Sequence, residues 1–365
     1  MKFNPVIEKI HTYEAGKPIE LVVREFGIAP EQIVKLASNE NPYGCSPKVQ
    51  EAVRAAAANM ALYPDDSMHG LKAGLSRRFG VDPHEIVIGA GSDQVIEFAV
   101  HAKAGPGKKI LINSVTFAMY EIYARHVGAE VVRTTSRRHD LEEFFELYRR
   151  HSPEIIFLCT PNNPTGESID AAEVKRFLHR IDPETLVIVD GAYMEYAKYK
   201  DPAKALEPAE LIGEFSNVLY LGTFSKAYGL GGMRVGYGIG PREIVQALYK
   251  LRPPFNITTL SLVAASAALD DEDFVQKSIA KNFEQMQRYE KFAEEKGIRS
   301  LPSHTNFITL CFDAPHDSTA IADTLLRQGM IVRNLAGYGL NAIRVTIGTP
   351  EQNDRFFALA APLLD

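Results

Sequence analysis

At 365 residues the chain is long enough for a large core and two domains. Its 40 basic and 46 acidic residues give a net charge of −6, which implies no polyanion partner; the pairs Arg137-Arg138 and Arg149-Arg150 suit a solvated helix face better than a nucleic-acid surface. Three scattered cysteines (Cys45, Cys159 and Cys311) make neither a disulfide framework nor a zinc-ligand pattern, and no apolar run has the length of a signal peptide or membrane span, so the expectation is a reduced, cytoplasmic, metal-free protein.

Residues 1–32 precede the main pattern and read as an arm that packs with the small domain or a partner subunit. From there to residue 270, short apolar runs alternate with helical patterns. Strands are expected at Glu85–Ile88, Lys109–Asn113, Ala129–Arg133, Glu154–Thr160, Thr185–Asp190, Asn217–Thr223 and Arg234–Ile239. Helices are expected at Asp93–Ala104, Ala118–Val127, Leu141–Arg150, Ala171–Ile181 and Glu207–Phe215. Continuous runs such as Leu186-Val187-Ile188-Val189 belong to strands buried on both faces. The fold class is therefore α/β: a mostly parallel sheet sandwiched by helices, with right-handed crossovers. An Ala-rich helix at Leu260–Leu269 closes this large domain, 33–270. Residues 271–365 form a smaller α+β domain. It opens on a charged amphipathic helix, Asp273–Lys296, followed by Asn306–Phe312, a helix at Ser318–Gln328, strands at Ile331–Arg333 and Ala342–Ile347, and a last helix from Pro350.

Ligands of open parallel sheets bind beyond the carboxyl ends of the strands, so the residues that follow each strand matter most. Gly89-Ala90-Gly91-Ser92-Asp93 leads into a helix and suits a phosphate, through close backbone approach and free N–H groups; Ser92 or Asp93 serving only as an N-cap would leave the same letters. Phe117 is placed either to stack on a planar ring or to fill the core. Asn163 sits in the rigid turn Pro161-Asn162-Asn163-Pro164-Thr165-Gly166, as a donor to a ring oxygen or as a plain turn residue. Asp190 ends a buried strand, which is costly for an unpaired carboxylate; it either caps that strand or faces a pyridine nitrogen, with Tyr193 nearby for a ring hydroxyl. Finally Thr223-Phe224-Ser225-Lys226 and Arg234 set a lysine after an apolar run, hydroxyls beside it, and an arginine whose fork grips phosphate. Each feature alone has an ordinary structural explanation. Together they fit one small molecule, pyridoxal phosphate, which bonds covalently to a lysine amine.

With these residues in place, the sequence resembles a fold-type I pyridoxal-phosphate aminotransferase, and more closely the histidinol-phosphate aminotransferases. The segments that carry the likeness are Leu36-Ala37-Ser38-Asn39-Glu40-Asn41-Pro42-Tyr43-Gly44, Tyr63-Pro64-Asp65, Asn163-Pro164-Thr165-Gly166, Asp190 with Tyr193, Ser225-Lys226 to Arg234, and Ile343-Arg344-Val345. The resemblance implies that Lys226 bonds the cofactor and moves the substrate proton, that Asp190 pairs with the ring nitrogen, and that Asn163 and Tyr193 bond the ring oxygen. It implies that Gly91, Ser92, Asp93, Thr223, Ser225 and Arg234 hold the phosphate, and that Tyr63 reaches the phosphate of a neighbouring subunit in a homodimer. Arg344 would clamp the anionic group of the substrate, with Arg333, Tyr13 and Asn39 assisting. The implied reaction transfers an amino group between histidinol phosphate and 2-oxoglutarate. Aromatic amino-acid transamination and phosphothreonine decarboxylation remain alternatives on the same scaffold. Gly191 departs from the pattern, since many relatives carry glutamate there.

Overall fold

The computed structural model describes residues 1, 6–10 and 19–365. Its strands, in chain order, are β1 (Val34–Lys35), β2 (Ile86–Gly89), β3 (Lys109–Ile112), β4 (Glu130–Arg133), β5 (Ile155–Cys159), β6 (Leu186–Asp190) and β7 (Val218–Thr223). They continue with β8 (Gly236–Ile239), β9 (Arg299–Leu301), β10 (Phe307–Cys311), β11 (Met330–Ile331), β12 (Arg333–Asn334) and β13 (Ala342–Thr346). Seven of them form the main sheet in the order β2-β8-β7-β6-β5-β3-β4. All neighbours in it are parallel except β8, which runs antiparallel to both β2 and β7.

Two faces of this sheet bury two separate cores, and the alternation within single strands shows why. In β6, Val187 and Val189 pack into one cluster while Leu186 and Ile188 pack into the other; in β5, Ile156 and Leu158 oppose Ile155 and Phe157. Successive side chains of a strand point to opposite faces, so only an unbroken apolar run satisfies helices on both sides. Helix starts are fixed locally. Asp140 caps Leu141–His151 by accepting from the backbone N–H groups of Glu142 and Glu143, and Thr349 with Gln352 makes a capping box at Pro350–Ala360.

The C-terminal part has a third core around a four-stranded antiparallel sheet, β12-β13-β10-β9. One long helix, Glu272–Glu295, joins the two parts. Its first half buries Val275 and Ile279 in the main core, and its second half buries Met286, Tyr289 and Phe292 in the third. No helix among the described residues is long and apolar enough to cross a membrane.

Two expected strands change. The stretch Arg234–Ile239 begins its strand only at Gly236, because Arg234 ends a 3-10 turn in the left-handed region, at φ 52°. The stretch Ile331–Arg333 is divided: β11 pairs in parallel with β1, whereas β12 pairs antiparallel with β13. Val332 is the point where the chain leaves one sheet for the other. Segment β1, near the start of the chain, is thereby tied to the C-terminal part.

Candidate active site

The carboxyl ends of β5, β6 and β7 lie side by side, with Cys159 opposite Asp190 and Asp190 opposite Leu221. Every residue nominated for the cofactor, except Tyr63, lines one cavity of about 130 Å³ at this edge. Lys226 follows β7 and is partly buried, with Nζ donating to the Ser38 carbonyl at 3.3 Å. Burial, then the positive charges of Arg344 and Arg234, lowers its pKa to about 8. At pH 7 roughly a tenth of the amine is thus neutral, far more than for an ordinary lysine, and that is the form a covalent role requires.

Asp190 is 4% exposed. One carboxylate oxygen accepts from the Tyr120 hydroxyl at 2.6 Å and the other from the Ala192 backbone N–H at 3.1 Å. Burial raises its pKa above the usual carboxylate value, against the Tyr120 hydrogen bond that lowers it. A group that needs a cationic partner to be comfortable as an anion therefore sits on the cavity wall. Tyr120 is fully buried and stacked on Phe157 with ring centroids 4.3 Å apart. Sequence reasoning missed it. Its signal is faint: it lies three residues after Phe117, at the start of the helix Met119–His126, so the two rings meet edge to face.

Tyr193 is also buried, and its hydroxyl accepts from Asn39 Nδ2 at 2.8 Å. That leaves its own O–H hydrogen to donate into the cavity. Asn39 holds a left-handed backbone, φ 56°, which asparagine tolerates. It is fixed by a backbone N–H bond to Thr346 Oγ1 and by Asn306 donating to its carbonyl. Thr346 and Asn306 escaped the sequence reading because they lie more than 260 residues away in the chain. Asn163 has its Oδ1 taken by Arg344 Nη1 at 2.5 Å, and its amide N–H groups have no partner among the described residues. Arg344 is 8% exposed and also donates to the Ala37 carbonyl at 2.6 Å. Arg333 stands directly opposite Arg344 in the β12–β13 pair, so both guanidiniums start from the same face of that sheet.

At the other end of the cavity Gly91 takes φ 77° and precedes the helix Ser92–Lys103. A Cβ there would come within 2.5 Å of Arg234 Nη2, so glycine keeps this cradle open. Arg234 is exposed, and its Nη1 donates to Ser225 Oγ at 3.2 Å. Thr223 Oγ1 accepts from the Ser225 backbone N–H. Asp93 brings its backbone to the cradle, while its carboxylate accepts from Tyr123 and has its pKa raised, chiefly by burial. Phe117 forms a side wall. Cys159, expected as a core residue, is buried and also lines the cavity; burial pushes its thiol up to about 12, so it stays a neutral wall. Gly191 has a local reason: a Cβ there would overlap the Tyr220 phenol. Tyr63 stands apart, 83% exposed, with its ring against Phe255. Tyr13 lies outside the described residues.

Residues 31–358 match the family described as aminotransferase class I and II. The chain is 64% identical to the histidinol-phosphate aminotransferase of Sulfurimonas denitrificans, over 100% of both chains. It is 57% identical to that of Aliarcobacter butzleri, over 100% of this chain and 99% of the other. Among solved structures, the histidinol-phosphate aminotransferase from Sinorhizobium meliloti in complex with pyridoxal-5'-phosphate superposes with a TM-score of 0.90 at 28% identity, covering 100% of this chain and 97% of that one. On this agreement of sequence and fold, the chain belongs to the class I and II aminotransferases.

Proposed function

We propose that this chain is a pyridoxal-phosphate enzyme that moves the amino group of L-histidinol phosphate to 2-oxoglutarate, yielding imidazole-acetol phosphate and glutamate. The observation that carries this reading is the 64% identity, end to end, with a protein named for that substrate. Neither alternative, aromatic transamination or phosphothreonine decarboxylation, gains support from the curated relatives described above.

The cavity suits the cofactor. A buried carboxylate with no ion pair among the described residues (Asp190), a partly neutral lysine (Lys226), an open glycine cradle (Gly91) and an arginine fork (Arg234) match a pyridinium nitrogen, an aldehyde and a phosphate in turn. Bound there, pyridoxal phosphate supplies an electron sink for the charge left when the substrate carbon loses its proton. Lys226 would bond the cofactor aldehyde at rest and, once the substrate amine has displaced it, its freed amine would take that proton and return it. Asp190 would keep a proton on the ring nitrogen. Tyr193 and Asn163 would donate to the ring oxygen, and Phe117 would pack beside the ring. The backbone at Gly91, Ser92 and Asp93 would hold the phosphate with Thr223, Ser225 and Arg234. Arg344, steadied by Asn163 and Ala37, accepts a carboxylate or a phosphate, because a guanidinium fork fits both oxyanions. Arg333, Asn39 and Tyr13 assist it.

The working form is a homodimer in the cytoplasm. Support comes from the exposed apolar cluster of Met60, Leu62, Tyr63 and Phe255, which lines a cleft of about 830 Å³ and is suited to a second copy of the chain. Free, well-separated cysteines suit a reducing compartment. The proposed division is an arm (1–32), a large unit (33–270) and a small unit (271–365), with β1 at the start of the large unit pairing into the small one.

A half-reaction experiment tests the substrate. Cofactor-loaded enzyme is mixed separately with histidinol phosphate, phenylalanine and phosphothreonine while the visible absorption band is followed. Histidinol phosphate should discharge the band at least about tenfold faster than the others, a gap of roughly 1.4 kcal/mol. Preference for phenylalanine, or release of carbon dioxide from phosphothreonine, would refute the proposal.

A further inference from the structure

The phosphate cradle is joined to the exposed Tyr63 surface by an unbroken line of polar side chains. It begins at the turn between β2 and the cradle helix, where Gln94 Oε1 accepts from the Ala90 backbone N–H at 2.9 Å. The same oxygen accepts from Asn256 Nδ2 at 2.8 Å. Asn256 Oδ1 in turn accepts from Arg252 Nη1 at 3.0 Å. Arg252, with a side chain 10% exposed, grips Asp66 with both terminal nitrogens, at 2.8 and 2.7 Å. Asp66 finally accepts from the Phe255 backbone N–H at 2.7 Å.

Two independent features mark this line as more than surface decoration. Phe255 is held at φ 55°, a left-handed conformation that is costly for an aromatic residue and that recurs where structure is over-determined for a purpose. Asp66 is the group that holds it there, and the result sets the Phe255 ring 4.7 Å from that of Tyr63. At the other end Ala90 is the residue immediately before Gly91, so the Gln94 contact fixes the entry to the cradle itself. A fork-to-fork Arg–carboxylate pair is directional, and here it stands at the Phe255 end of the line.

We propose that Asp66, Arg252, Asn256 and Gln94 are positioning residues that make the subunit-facing Tyr63–Phe255 surface and the subunit's own phosphate cradle one rigid unit, so that grip on the cofactor phosphate depends on that surface being correctly set. The inference rests on the cofactor and dimer readings above. None of the four side chains lines the cavity or reaches its reacting groups.

The test uses the full chain stripped of cofactor and titrated with pyridoxal phosphate and, separately, with pyridoxal, which lacks the phosphate. Asn256→Ala cuts the line at its middle. It should weaken pyridoxal phosphate binding about tenfold, the effect of one or two hydrogen bonds, and leave pyridoxal binding within about twofold of the parent. Gln94→Ala, at a half-buried position, should do the same and serves if Asn256→Ala does not fold. Asp66→Asn should additionally weaken self-association, read by sedimentation over a range of concentrations. Equal loss for both ligands, or no loss for either, in the folded variants would overturn the brace. Unmodified protein that binds neither ligand, or stays monomeric, would instead overturn the readings on which it rests.

Discussion

Replacing Tyr120 by phenylalanine isolates one hydrogen bond of the active site. The Tyr120 hydroxyl donates to Asp190 at 2.6 Å, with the two side chains 0% and 4% exposed. Phenylalanine keeps the ring, its stacking on Phe157 and nearly all of the volume, so packing changes little. What disappears is a buried, charge-assisted donor, worth about 1.5–3 kcal/mol. If that interaction is realised when Asp190 is ionised, kcat/KM falls by about 10- to 150-fold. The pH profile carries the diagnostic. The carboxyl of Asp190 is already raised by burial, and the Tyr120 bond is the main influence that lowers it. Without that bond the pKa rises further, ionisation requires a higher pH, and the acid limb of the profile moves upward. The assay is steady-state kinetics of the folded variant from pH 5.5 to 9, with the parent alongside. Turnover within about twofold of the parent, with an unmoved acid limb, would refute the argument that Tyr120 sets the charge of Asp190.

Arg344→Ala should raise KM for the amino donor and the oxo acid alike by about tenfold or more, since it removes a doubly anchored fork; a defect confined to the glutamate half-reaction would place the phosphate elsewhere. The lowered pKa of Lys226 predicts that the rate at which stripped protein takes up pyridoxal phosphate rises with pH and levels off above about 8, whereas a midpoint near 10.5 would contradict the buried amine. The same shift has a stability signature. From about pH 8 to 10.5 the unfolded chain binds the proton that the folded one has lost, so stripped protein gains stability as pH rises through that window. Thermal melts across the window should show the midpoint climbing, set against the same series for Lys226→Met, in which this contribution is absent.

The large sheet was legible because its strands are apolar without interruption: Val187 and Ile188 must both be buried, on opposite faces, and no surface strand carries such a run. The strand-end residues were legible for a related reason, since parallel strands deliver their carboxyl ends to one edge. Short elements were not. Strands β1 and β11 have two residues each and owe their existence to each other across the chain, a pairing no local pattern encodes. The helix His69–Phe79 was missed because Met68, its left-handed N-cap, provides no side-chain cap. The helix Pro47–Ala56 carries both Ser46 and a proline at its start, so its signal was present and went unread. Tyr120 and Thr346 show the deeper limit. Tyr120 acts on a site residue through one long-range hydrogen bond and Thr346 through two, and a tyrosine or threonine bonded in that way looks no different in sequence from one that fills space.

The arginines of the site are carried on different frameworks: Arg234 leads into β8 of the seven-stranded sheet, and Arg344 belongs to β13 of the four-stranded one. On the proposed roles, selection can retune which molecule is admitted at positions of the smaller sheet other than those that bond Asn163 and Asn39, where the two frameworks are joined. A lineage built this way is free to explore new metabolites without rediscovering its chemistry.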